Sequence, residues 1–158
     1  MEYFTGELWK EINSDDKTIR AQAELKWGKN DALYTKKYNK EKERFPDTYI
    51  QLYESMSGFH DFKIHRITME TGNWSTRNCT IELSDGEAIF ELVFQKISSF
   101  VVNCPSLCNC WCNELRWGYD EIGHKGRQLT LSVLCDYVTE LSIVFKTVTV
   151  HNKADSSP

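Results

Sequence analysis

Cys104, Cys108, Cys110 and Cys112 read C-x3-C-x-C-x-C and form the densest run of metal-capable side chains in the chain. Thiolates hold zinc in a tetrahedron, but structural zinc sites pair their ligands across a short knuckle and add a second pair at a distance, so this spacing fits only in part. On an extended strand Cys108, Cys110 and Cys112 share one face with Glu114 and Arg116, and same-face neighbours lie about 7 Å apart. One ion reaches all three only if residues 103–109 curl back. Free thiols near a strand edge are the leading expectation, with a metal site and a disulfide as the alternatives in a reducing compartment. Cys79 and Cys135 share faces with Ile81 and Val133 and read as core.

His60-Asp61 is the next candidate, because a histidine beside a carboxylate can bind metal or move a proton. Neighbours on a strand point to opposite faces, however. A metal-dependent phosphohydrolase built on a His-Asp pair also needs more ligands from helices, and the chain does not read as helical after Phe59. Of the other histidines, His65, His124 and His151, His124 falls in a turn pattern and His151 near the end. The pair is expected to cap the first strand, with a functional site as the alternative. Glu114, with Asp120 and Glu121, could supply carboxylates for acid/base work, but solvent-facing charges are the expectation. The chain contains no phosphate-cradling glycine loop, G-x-S-x-G elbow or H-E-x-x-H helix. Asn73-Trp74-Ser75 and Asn78-Cys79-Thr80 match glycosylation acceptors, but with no export signal they read as chance.

The elements that must position these residues divide near Gly58. Residues 5–57 read as helical and residues 59–151 as a sheet. Thr5 is suited to cap a short helix with Leu8, Trp9 and Ile12, and Ser14 to cap a longer one in which Asp15 and Asp16 favour the positive end of the dipole. Ile19, Ala23, Trp27, Tyr34, Tyr38 and Phe45 form its apolar stripe. Gly28 with Asn30-Asp31 either splits this helix or is carried through it. The charges from Lys36 to Arg44 alternate in sign and read as a solvated face. Pro46 opens a third helix, with Tyr49, Leu52, Tyr53 and Met56 on one face, and Gly58 ends it.

Six strands are expected next. Cys79, Ile81 and Leu83 point inward in the second, and Ser84-Asp85-Gly86 turns into a long third strand with Phe90, Leu92 and Phe94 inward. The fourth, residues 110–121, places Trp111, Leu115, Trp117 and Tyr119 on one side. Leu129, Leu131, Val133 and Cys135 mark the fifth, and Leu141, Ile143 and Phe145 the sixth. There the apolar parity switches after Lys146 to Val148 and Val150, as an inserted bulge residue would cause. Short links argue for an antiparallel meander. The expected fold is α+β, with the N-terminal helices on one face of a roughly six-stranded antiparallel sheet, all in one domain of residues 1–158. Residues 152–158 are expected to fray.

Composition narrows the classes. The 158 residues carry 23 acids against 19 bases, a net charge of -4, with 41% hydrophobic and 13% aromatic residues. This excludes a basic nucleic-acid arm and a disordered chain. Trp111, Trp117 and Tyr119 could stack bases, but with no basic stripe beside them core packing is the better account. No run approaches the roughly 20 apolar residues of a membrane-spanning helix. Met1-Glu2-Tyr3-Phe4 lacks the features of a signal peptide, so a cytoplasmic setting is expected.

Tyr3-Phe4-Thr5-Gly6-Glu7-Leu8-Trp9, the charged helix after it, Gly58-Phe59-His60-Asp61, Ser84-Asp85-Gly86 and Trp117-Gly118-Tyr119-Asp120-Glu121 together resemble a family of small uncharacterised bacterial proteins, mostly of Gram-positive type. The resemblance spans most of residues 3–150, implies an intracellular bacterial setting and an α+β layout, and brings no activity with it. The cysteine-rich segment has no place in that pattern.

The function expected from all this is a non-catalytic protein-binding domain, of immunity or regulatory type. Its partner would be another protein, not nucleic acid or membrane, and no cofactor is expected. A metal-dependent enzyme using His60, Asp61 and a carboxylate such as Glu114 is the alternative. A zinc or redox sensor at Cys104, Cys108, Cys110 and Cys112 is the second.

Overall fold

Thr5 starts the first helix as its side chain predicts: Oγ1 accepts the Leu8 N–H at 3.2 Å, and α1 runs Gly6–Ile12. The second helix is capped by Asp16 instead of Ser14. The Asp16 carboxylate accepts from Thr18 and Ile19 N–H at 2.7 and 3.3 Å, while Ser14 Oγ accepts from Asp16 N–H. An ionised acceptor at this position answers both the orphan amides and the dipole. Helix α2, Lys17–Glu41, continues unbroken through Gly28. Contacts on both sides of the glycine tie the helix to the N-terminal segment. Trp27 packs on Phe4 with ring centroids 5.0 Å apart, and Asn30 Nδ2 donates to the Tyr3 carbonyl at 2.7 Å. A 3₁₀ turn at Lys42–Arg44 leads past Pro46 into α3, Asp47–Ser55, and Gly58 ends the helical part at φ 73°.

The protein, a computed structural model, is described over residues 1–73, 77–104, 114–136 and 139–153 and is α+β. Its strands are β1 Lys63–Glu70, β2 Asn78–Ser84, β3 Ile89–Gln95, β4 Ser99–Asn103, β5 Trp117–Lys125, β6 Gln128–Cys135, β7 Thr139–Phe145 and β8 Thr147–Asn152. They form two four-stranded antiparallel sheets, ordered β1-β2-β3-β8 and β4-β7-β6-β5. The expected single six-stranded meander is therefore corrected: its third and sixth strands each bend and serve both sheets. At the bend Lys96 takes φ 55°, Ser98 N–H donates to the Val144 carbonyl at 2.9 Å, and Lys146 N–H to the Gln95 carbonyl at 3.0 Å. The parity switch marks this turn. Phe145 and Val148 are both fully buried because the strand changes sheets between them.

The first strand begins at Lys63 instead of Phe59, because Ser57, Phe59 and Asp61 all take positive φ and no extended run starts before them. The fourth begins at Trp117; Trp111, Cys108, Cys110 and Cys112 lie outside the described residues. Strand β8 reaches Asn152, and Lys153 pairs with Glu91 at 2.9 Å, so the expected fraying at 152 is not seen there. Residues 154–158 are outside the description.

The inner faces of both sheets make one core. Cys79, Ile81 and Leu83, then Phe90, Leu92 and Phe94, meet Leu131, Val133, Leu141, Ile143 and Phe145, with Phe45, Tyr49 and Phe59 joining from the helical part. Trp117 has no exposed surface. Burial pushes the thiols of Cys79 and Cys135 up to about 12, and a thiol held protonated is inert packing. Among the described residues no helix is long and apolar enough to cross a membrane.

Candidate functional site

Strand β5 carries the site because both of its faces are covered. Its pairing with β6 shifts between Trp117 and Tyr119, leaving Gly118 as an extra residue. The shift puts Trp117 on the same face as Asp120 and Ile122, toward the core, and turns Tyr119 and Glu121 toward the N-terminal segment and α2. A Cβ at Gly118 would lie 2.5 Å from the Leu134 carbonyl oxygen, a contact no side chain tolerates. Gly118→Ala should therefore lower stability by about 1–3 kcal/mol, the usual cost of overpacking, read as a lower urea midpoint at unchanged m-value.

Asp120 and Glu121 are both buried, against the expectation of solvent-facing charges. Glu121 receives the N–H groups of Glu2, Tyr3 and Phe4 at 2.7–3.0 Å, which clamps the N-terminal segment onto the strand. Phe4 is thereby fixed against Trp27, Tyr34 and Tyr119. Asp120 accepts from Tyr53 OH at 2.5 Å and from Trp117 Nε1 at 2.7 Å. Burial raises its carboxyl to about 7, with Glu121 adding to the rise, even though both hydrogen bonds pull it down. Trp117 Nε1 can only donate, so the proton belongs on Oδ1, where the short contact to Tyr53 runs in either direction. Burial and the Asp120 charge hold the Tyr34, Tyr49 and Tyr53 phenols well above their ordinary range.

Beside this acid an open pocket of about 650 Å³ lies between α2, α3 and the edge of β5, lined by Phe4, Tyr34, Tyr38, Tyr53, Tyr119 and His60 with the carboxyls of Asp31, Glu54 and Asp120. Tyr34 OH accepts from Ile122 N–H at 2.7 Å, which fixes one wall to β5. Tyr38 OH donates to Glu54 at 3.1 Å, and Lys42 donates to the same carboxylate at 2.7 Å. The Lys42 ammonium lies 5.5 Å from the Tyr38 ring centroid. Tyr49 OH, fully buried behind Tyr53, is the buried side-chain polar atom among the described residues that has no hydrogen-bond partner.

The sequence candidates separate. His60 lines the pocket, edge-on to Tyr119 at 5.0 Å between centroids. Its Nδ1 lies 3.0 Å from the Asp61 carboxylate, which is exposed. The Asp61 backbone ties the turn before β1 to β5: its N–H donates to the Trp117 carbonyl, and its own carbonyl accepts from Arg116. Neither Asp61 nor Glu114 belongs to the pocket lining. Glu114 instead pairs with Lys63 at 2.7 Å and Arg116 at 3.0 Å, which hold its carboxyl below the usual range. His60, Asp61 and Glu114 thus share no cleft. Cys104 is exposed, and Thr139 Oγ1 lies 3.4 Å from its sulfur. Among the described residues no three His, Cys, Asp or Glu side chains converge as metal ligands.

From sequence the tyrosines of the pocket read as core stripe, and Asp120 as surface charge. A signal was available: Trp117-Gly118-Tyr119-Asp120 places a glycine inside an aromatic strand, the mark of a bulge or a close backbone approach. The residues present can seat a planar or cationic group against rings, accept its donors, and present one carboxylic acid poised between its two forms. No known protein-family model matches the chain, and no curated protein matches it.

Proposed function

We propose that the protein is a binding domain of regulatory or immunity type that captures a partner protein at the pocket between α2, α3 and β5. One observation carries this reading: the pocket is walled by rings and carboxyls, and among the residues lining it there is no lysine or arginine. Tyrosine-rich concavities supply large contact area at low entropy cost and are where binding energy concentrates. The net charge of -4 suits a partner whose contacting segment is basic, since complementary charge speeds encounter and rejects wrong partners.

Site-specific photocrosslinking tests the reading. A crosslinking residue replaces Thr35 on the pocket rim, and as control Leu25, which lies on α2 with 69% of its surface exposed. The expected result is one adduct of defined mass from position 35, mapping to a basic segment of a single protein, and none from position 25. Equal labelling from both positions, or an adduct from 25 alone, overturns the proposal.

A further inference from the structure

Resting on the binding reading above, we propose that the group seated in the pocket is a single organic cation, a guanidinium or alkylammonium head, held between tyrosine faces and carboxylates. The lining supplies both halves of such a site. Phe4, Tyr34, Tyr38, Tyr53 and Tyr119 bring five rings to the wall, and Asp31, Glu54 and Asp120 the counter-charges. Cations are drawn to ring faces within about 6 Å of the centroid, most strongly where water is excluded.

The molecule contains a working example of this chemistry at the pocket rim. Lys42 holds its ammonium on the Glu54 carboxylate at 2.7 Å and 5.5 Å from the Tyr38 ring centroid. Lys37 repeats the pattern nearby, on Glu2 at 3.0 Å and 5.1 Å from the Tyr3 ring. Lys42 satisfies Glu54 from outside, so the incoming cation is left with Asp31 and Asp120.

The seat is also coupled to a proton. Asp120 is faced by Tyr34 and Tyr38 from α2, Tyr49 and Tyr53 from α3, Cys135 from β6, and Trp117 and Glu121 on its own strand, and it shares the pocket with Asp31 of α2, Glu54 of α3 and His60 of the turn before β1. No lysine or arginine is among them. An arriving cation favours the ionised carboxylate, so its uptake releases a proton and its affinity rises as pH climbs through about 7.

Titration of the whole protein with methylguanidinium and with methylurea, its neutral counterpart, followed by tryptophan fluorescence and by chemical shift, tests the assignment. The expected result is millimolar binding of methylguanidinium, at least about tenfold tighter than methylurea, and several-fold tighter at pH 8 than at pH 6. Tyr38→Leu and Asp31→Asn should each weaken it several-fold, while Tyr38→Phe, which keeps the ring, should not; Asp31 is exposed, and Tyr38, half-buried against the core, keeps an apolar side chain in both of its variants. Equal binding of the two probes, or cation binding indifferent to both weakening variants, overturns the proposal. A persistent partner adduct from position 35 beside a failed titration removes the ligand class and leaves the binding reading standing. Loss of both removes the reading as well.

Discussion

Between pH 4 and pH 8 the protein is expected to lose stability on the order of 4 kcal/mol through Asp120 alone, and Asp120→Asn to remove that slope. The direction follows from proton counting. In the folded chain burial raises the Asp120 carboxyl from 3.8 to about 7, so between those values the native state binds more protons than the unfolded one. Stability present below pH 4 is then lost progressively as pH rises to about 7, and the slope flattens above it. Glu54, Asp85 and Glu114, whose carboxyls are lowered, act oppositely and weaken the fold as pH falls into their range. At pH 5, where the wild-type acid holds its proton on Oδ1, the amide of Asp120→Asn takes its place, accepting from Trp117 Nε1 and donating to the Tyr53 oxygen, so the two proteins should be close in stability there. At pH 8, with no charge to bury, the variant should equal or exceed wild type. Urea midpoints at the two pH values decide the matter, and parallel curves for the two proteins would refute the assignment.

Glu121→Ala should cost about 3 kcal/mol and release the N-terminal segment. The carboxylate receives the N–H groups of Glu2, Tyr3 and Phe4, and charge-assisted hydrogen bonds are worth about 1.5–3 kcal/mol each before water takes over the exposed donors. Phe4, 5% exposed, would lose its seat on Trp27, Tyr34 and Tyr119, taking with it part of the pocket wall. Hydrogen exchange at Tyr3 and Phe4 should accelerate selectively, while β2 and β6 amides keep their protection. Glu121→Gln, which keeps one acceptor, should recover part of both effects. Glu114→Ala should leave stability within error, because its ion pairs stand in water. Retained protection at Phe4 in Glu121→Ala would show that aromatic packing, not the carboxylate, fixes the segment.

Much of the layout was legible because one physical rule, alternation, governs it. Cys79, Ile81 and Leu83 and then Phe90, Leu92 and Phe94 face the core as their period demands, and Asp85 caps the turn between them by accepting from Glu87 and Ala88 N–H. Lys146 was recognisable as an irregularity, but parity cannot distinguish an extra residue from a strand that changes sheets, since both displace the next apolar residue by one. The carboxylates were misread for a related reason. Adjacent acids on a strand suggest at least one solvent face, and only tertiary cover makes both buried: α3 and the core over Asp120, the N-terminal segment over Glu121. Tyr34, Tyr38 and Tyr53 were visible as apolar stripes, and their hydroxyls became meaningful only once two helices brought them to one strand.

The ladder that turns the corner at Lys96 and Lys146 has a mechanical consequence. The chain itself stitches the two sheets by passing between them at Lys96 and Lys146, where Ser98 to Val144 closes the end of the β4–β7 ladder and Lys146 to Gln95 that of β3–β8, and the bonds between Phe62 and Trp117 and between Ile64 and Leu115 join β1 to β5 across the sheets. The leaves of the sandwich cannot hinge apart without breaking several of these stitches together. Breathing is left to the helical cover over a rigid bed, and a guest reaches the open pocket at its edge without any parting of the sheets.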